Sequence, residues 1–262
     1  MKNYQIEGSI TIHQPLFLPW LPMIARLASS EMFVPLDNVQ FREKYLQNRT
    51  QIVLLRGAGK NDQKWISLNT RATYRDLFRD ATIRDAEVVD TVINALKSNY
   101  SHTHFFAEIW AAVEEVLRDA QRNSKSIFDT NIALLKVLFE LLDLKFPEMI
   151  LASSLYTGTN RNERIATICS RLGKTYNLYG CGKSEDVHDL DYLREHKVHL
   201  IGLDRDEVFE KLPLIYRRNY VSILHPLFIK GPDEVRKNIE CVCGMYQHGI
   251  DKEKQGISLQ KV

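Results

Sequence analysis

Residues 9–49, SITIHQPLFLPWLPMIARLASSEMFVPLDNVQFREKYLQNR, decide the fold. The β-prone run Ser9-Ile10-Thr11-Ile12 stops at His13-Gln14-Pro15, since proline cannot extend a ladder. A second apolar run, Met32-Phe33-Val34-Pro35-Leu36, stops at the polar cluster Asp37-Asn38-Val39-Gln40. Between them Ile24, Leu27 and Ala28 share one face at helical spacing, behind an entry stiffened by Pro19 and Pro22. Strand, helix and strand within such a span predict a parallel crossover, which requires a connection of this length and is right-handed as a rule. Parallel neighbours would set His13 and Asp37 at one carboxyl edge, where open α/β sheets gather ligands.

Working outward, 50–55 and 65–68 read as the arms of a β-hairpin around the turn formers of GAGKNDQK. Residues 86–143 carry three amphipathic stripes, led by Val88, Phe105 and Ile127, and predict an inserted helical segment that serves as packing scaffold. The second half returns to α/β. Strands are expected at 149–152, 176–179 and 198–200. Helices are expected after the TGTNRNER loop, closed by Gly173, and at 189–195, with two more in 222–246. A polar tail at 251–262 is expected to fray. The predicted fold is a Rossmann-like α/β domain with a mostly parallel sheet, a β-hairpin and the inserted helices, with all 262 residues in one unit.

A net charge of +2 with no basic block gives no footprint for nucleic acid. The opening MKNYQIEGSI lacks the apolar core of a signal peptide, and no apolar run reaches membrane-span length, so the expectation is a cytoplasmic protein. Cys241 and Cys243 form C-x-C and no second pair faces them, so no metal site is assigned.

His13 is the candidate general base, because an imidazole takes a proton near neutral pH; its plain alternative is a strand-end hydrogen bond. Asp37 would orient that ring if the two side chains meet, and is otherwise a turn residue. Gln14 and Gln40 extend the polar edge toward a substrate. Gln47-Asn48-Arg49 offers forked hydrogen bonds for a sugar, with Arg49 able to pair a phosphate in two-pronged fashion. Thr159 and Arg164, at a helix entry, can receive an anion or simply cap the helix. Gly180 permits close backbone approach, and a catalytic Cys181 lacks any predictable histidine neighbour.

The motifs I-H-Q-P-x-x-L-P-W at 12–20, L-D-x-V-Q-F at 36–41 and Q-N-R at 47–49 resemble those of the WbqC-like protein family. Ser153-Ser154-Leu155, the helix through Glu163-Arg164-Ile165 and Ser222-Ile223-Leu224 with Gly231-Pro232 agree. Cys181 stands where proline or a small residue is expected, and Leu46 where tryptophan is common. The resemblance implies a place in O-antigen or other surface polysaccharide biosynthesis, as a glycine or related acyl transferase. The substrate class would be an amino sugar or nucleotide-sugar, with an acyl thioester such as coenzyme A as co-substrate. The other reading is a carbohydrate or nucleotide-sugar binding protein without chemistry, with Phe17, Trp20, Phe41 and Tyr45 as exposed aromatics. A third, a nucleotidyltransferase-like enzyme, lacks the second histidine and glycine of the paired-histidine motif.

Overall fold

The structure, a computed structural model, describes residues 1–55, 62–156, 158–180 and 188–255. Strand β1 (Ile6–His13) leads through helix α1 (Leu21–Ser29) into strand β2 (Ser30–Pro35). β1 and β2 are direct parallel neighbours in the register Ile12 to Val34 and His13 to Pro35. β1 is irregular near Gly8, whose φ of 76° suits only a residue without Cβ and lets the strand bulge.

Strands β3 (Arg49–Val53) and β4 (Gln63–Ser67) pair antiparallel as a separate hairpin. Helices α2 (Ala86–Tyr100), α3 (Phe106–Arg122) and α4 (Ile127–Leu141) follow, and α4 opens on Ser126, whose side chain accepts from Asp129 N. Strand β5 (Glu148–Met149) is shorter than expected, because the chain turns at 152–154 to bond Asp37. Helix α5 (Arg161–Leu172), strand β6 (Tyr176–Leu178), helix α6 (Leu190–Glu195) and strand β7 (His199–Ile201) complete the second half. Helix α7 (Arg205–Lys211), capped by Asp204 through the N–H groups of Asp206 and Glu207, was not expected from the sequence. Helices α8 (Leu224–Lys230) and α9 (Pro232–Lys254) close the chain, and α9 keeps residues 251–254 helical where fraying was expected.

The parallel sheet runs β5-β2-β1-β6-β7, so the chain builds to one side of β1 and then to the other. This is a Rossmann-like α/β fold with a hairpin and an inserted helical segment. Ile10, Met32 and Val34 pack against α5 and α6 on one face. On the other, Ser9 and Thr11 bond the α1 end through the Ser29 carbonyl and the Ser30 hydroxyl, and α9 packs over α1. All nine residues of α1 are buried between sheet and helices, which accounts for its nearly uniform apolar sequence. Among the described residues, no helix is long and apolar enough to cross a membrane.

Candidate functional site

Order reversal at β1 makes the carboxyl ends of β1 and β6 the topological switch point of the sheet, the place where open sheets hold ligands. His13 ends β1. Strand alternation sets it on the same face as Ser9 and Thr11, toward α1. Its Nδ1 lies 2.7 Å from the Gln14 carbonyl oxygen. A carbonyl only accepts, so Nδ1 carries the proton and Nε2 keeps the lone pair. Burial pushes this imidazole down to about 3, with the positive charge of Arg26 adding to the effect. The ring is therefore neutral across the physiological range.

Arg26 comes from the middle of α1 and was not singled out in the sequence. It is the one charged side chain in LPMIARLAS, and a cation in a helix buried on all sides is the signal that could have found it. Its guanidinium also lies against Gly180, where an added Cβ would meet Nη1 at 3.3 Å. His13, Arg26 and Gly180 thus share one edge, beside Gln14. Thr157, Cys181 and the rest of the Gly-rich segment from 181 to 187 lie outside the described residues.

Asp37 does not orient His13. It is buried, accepts from Ser153 N at 2.9 Å, and pairs with Arg79 at 3.4 Å. The reason is register: His13 stands opposite Pro35, and Asp37 lies two residues, about 7 Å of strand, further on. The acceptor that fixes the imidazole is the Gln14 carbonyl.

The Q-N-R segment divides. Gln47 and Asn48 are buried, with the Gln47 side chain accepting from Arg42 N at 2.9 Å and Asn48 donating to Leu68 O at 3.2 Å. They are internal latches, not surface groups awaiting a sugar. Asn131 of α4 completes the latch by donating to Pro15 O at 3.0 Å and Gln47 O at 2.7 Å. The inserted helices therefore hold the turn that carries His13. Arg49 is half-buried on β3, stacked over Trp65. Gln40 is exposed and bonds the Tyr74 carbonyl.

At the α5 entry, Asn160 is the cap, accepting from the N–H groups of Asn162 and Glu163. Arg164 folds back to Gly158 O at 2.9 Å. Thr159 lines an open cavity of about 550 Å³ with Ser153, Ser154 and Asn160, near the carboxyl end of β5. His188 donates toward Asn162 Oδ1 at 3.3 Å, and burial and then the Arg161 charge lower its pKa from the ordinary imidazole value. A larger cavity, about 660 Å³, runs along β7 between α6, α7 and α9, and His13 is not among its lining residues. Cys169 and Cys243 are buried, each thiol pushed up to about 12 by burial, so neither is a ready nucleophile. Among the described residues, no group of three His, Cys, Asp or Glu side chains could hold a metal ion.

Comparison with known proteins gives one finding: the WbqC-like protein family matches residues 14–237, from the residue after His13 into α9. No curated protein and no solved structure matches.

Proposed function

This chain belongs to the WbqC-like protein family, and from that premise we propose that it transfers an acyl or aminoacyl group, glycine being one candidate. The acceptor is an amino sugar or nucleotide-sugar used for surface polysaccharide. The observation that carries the reading is His13 at the switch point, with Nδ1–H tied to the Gln14 carbonyl and Nε2 left as a base. The sugar amine attacks the thioester carbonyl while Nε2 takes its proton, and Gln14 and the positive field of Arg26 stand beside the forming oxyanion. Collapse of the adduct breaks the C–S bond, and the thiolate leaves with the proton returned by the imidazolium, giving the amide and a free thiol. An imidazole held near 3 is a weak base in the free protein. An anionic donor offsets the Arg26 charge and raises its basicity when substrate is present. Asp37 has no part in this step.

A thermal-shift screen tests it, with wild type beside His13→Ala and the ligands nucleotide-linked amino sugars, coenzyme A thioesters, ATP and glycine. Stabilisation by a sugar nucleotide and a thioester is expected, followed by acyl transfer between them that His13→Ala abolishes without losing binding. Stabilisation by ATP and glycine alone would replace acyl transfer with a nucleotide-dependent activation. Binding with turnover indifferent to His13 would remove the base from the mechanism.

A further inference from the structure

Phe17 and Phe41 are not surface aromatics: both are buried in the core, and of the four expected rings only Tyr45 is well exposed. A different aromatic row lies on the hairpin. Strand alternation puts Arg49, Gln51 and Trp65 on its outer face, with Gln51 and Trp65 as cross-strand partners. The Arg49 guanidinium lies over the Trp65 ring, 4.2 Å from its centroid. With the Gln51 amide turned so that its oxygen meets Trp65 Nε1 at 3.2 Å, its nitrogen donates to Gln63 Oε1 at 2.9 Å and Asn219 O at 3.1 Å. The indole N–H is thereby held inside the protein while 38% of Trp65 stays open.

Tyr220 continues the row. Its ring stacks beside Trp65 at 6.5 Å and tilts against Trp20 at 5.6 Å, and 44% of the residue is exposed. Its φ of 60° lies in the left-handed region, disfavoured for a bulky side chain, and such strain gathers at ligand clamps. Four features therefore coincide: exposed rings, a tethered indole, a strained backbone and a guanidinium. Among the described residues the Arg49 guanidinium has no hydrogen-bond or carboxylate partner, and its Nε is buried unpaired. Arg205 and Arg218 are by contrast already paired with Asp206 and Asp62.

We infer that the Arg49–Trp65–Tyr220–Trp20 row is a docking platform for an acidic oligosaccharide. A pyranose lays its C–H face on Trp65 and Tyr220, and its carboxylate pairs with Arg49. Rigid rings give large contact at little entropic cost, and amides at the rim suit hydroxyls. The unpaired guanidinium selects an acidic sugar over a neutral one. The platform rests on the saccharide half of the proposed function and not on its transfer chemistry.

Tryptophan fluorescence and NMR titrations test it with three tetrasaccharides: hyaluronate, galacturonate and the neutral chitotetraose, with UDP-glucuronate as the nucleotide probe. At least one acidic tetrasaccharide is expected to bind about fivefold or more tighter than chitotetraose. Trp65→Ala and Tyr220→Gly should each weaken it about tenfold, and Arg49→Gln should erase the acidic preference. Trp65→Phe, which keeps a ring on the fold, should stay within about threefold of wild type. No binding of either acidic tetrasaccharide at about 10 mM, equal affinity for the neutral one, or a response to UDP-glucuronate alone overturns the platform. Glycan binding without any transferase activity would sink the transfer chemistry alone; transfer without glycan binding on this row would sink the platform alone.

Discussion

Acidification should cost this protein a defined amount of stability through His13. The ordinary imidazole value is 6.5, and burial with Arg26 lowers it to about 3 in the folded chain. As pH falls, the unfolded chain therefore binds the proton first. The stabilisation is present above 6.5 and lost progressively down to about 3. Between pH 8 and pH 5 the loss is about 2 kcal/mol, the free energy of protonating an imidazole in the unfolded state alone. His225 behaves alike: buried against Tyr100, it is lowered to about 4 by burial and then Arg218, and contributes a similar share. Urea unfolding of wild type and His13→Asn at both pH values isolates the term. The variant should lose about 2 kcal/mol less than wild type on moving to pH 5. Equal losses would mean that His13 titrates normally, and the neutral base held by burial and Arg26 would fall with it.

Arg26→Met should raise the His13 pKa toward its ordinary value, as read from the ring resonances by NMR, since the nearby positive charge is removed; no movement would place Arg26 outside its reach. Asn131→Leu leaves the buried Pro15 and Gln47 carbonyls without their donor and should cost about 2–5 kcal/mol in urea unfolding, whereas under about 1 kcal/mol would show that the latch does not hold the His13 turn. Gly202→Ala would drive a Cβ to 2.0 Å from the Tyr179 ring and should cost about 1–3 kcal/mol by overpacking; an unchanged melting temperature would refute that contact. Tyr220→Gly relieves a left-handed backbone by on the order of 1 kcal/mol, enough to offset most of the lost ring packing, so its midpoint should stay near wild type.

The order of strand, helix and strand in residues 9–49 was legible because proline and polar clusters end each apolar run and the apolar period changes between them. Its consequence, the carboxyl ends of β1 and β2 lying side by side, follows from parallel pairing and is found with His13 opposite Pro35, while Asp37 lies two residues beyond the end of β2. The hairpin and the three inserted helices were legible for the same local reasons. Helix α7 escaped because seven residues carry too little period, although Asp204 caps it by accepting from the Asp206 and Glu207 N–H groups. Contacts set by register and burial were not legible. Only the fold shows that Asp37 overshoots His13 and turns to Ser153, that Gln47 and Asn48 face inward, and that Arg26 reaches Gly180 from a buried helix. Trp65 and Tyr220, 155 positions apart, become neighbours only when residue 221 bridges to β3. Periodicity and chain breakers act over a few residues, so sequence alone determined the elements and their sheet edge. Which side chains meet there depends on strand offset and on what each element is packed against, and only the tertiary structure decided that.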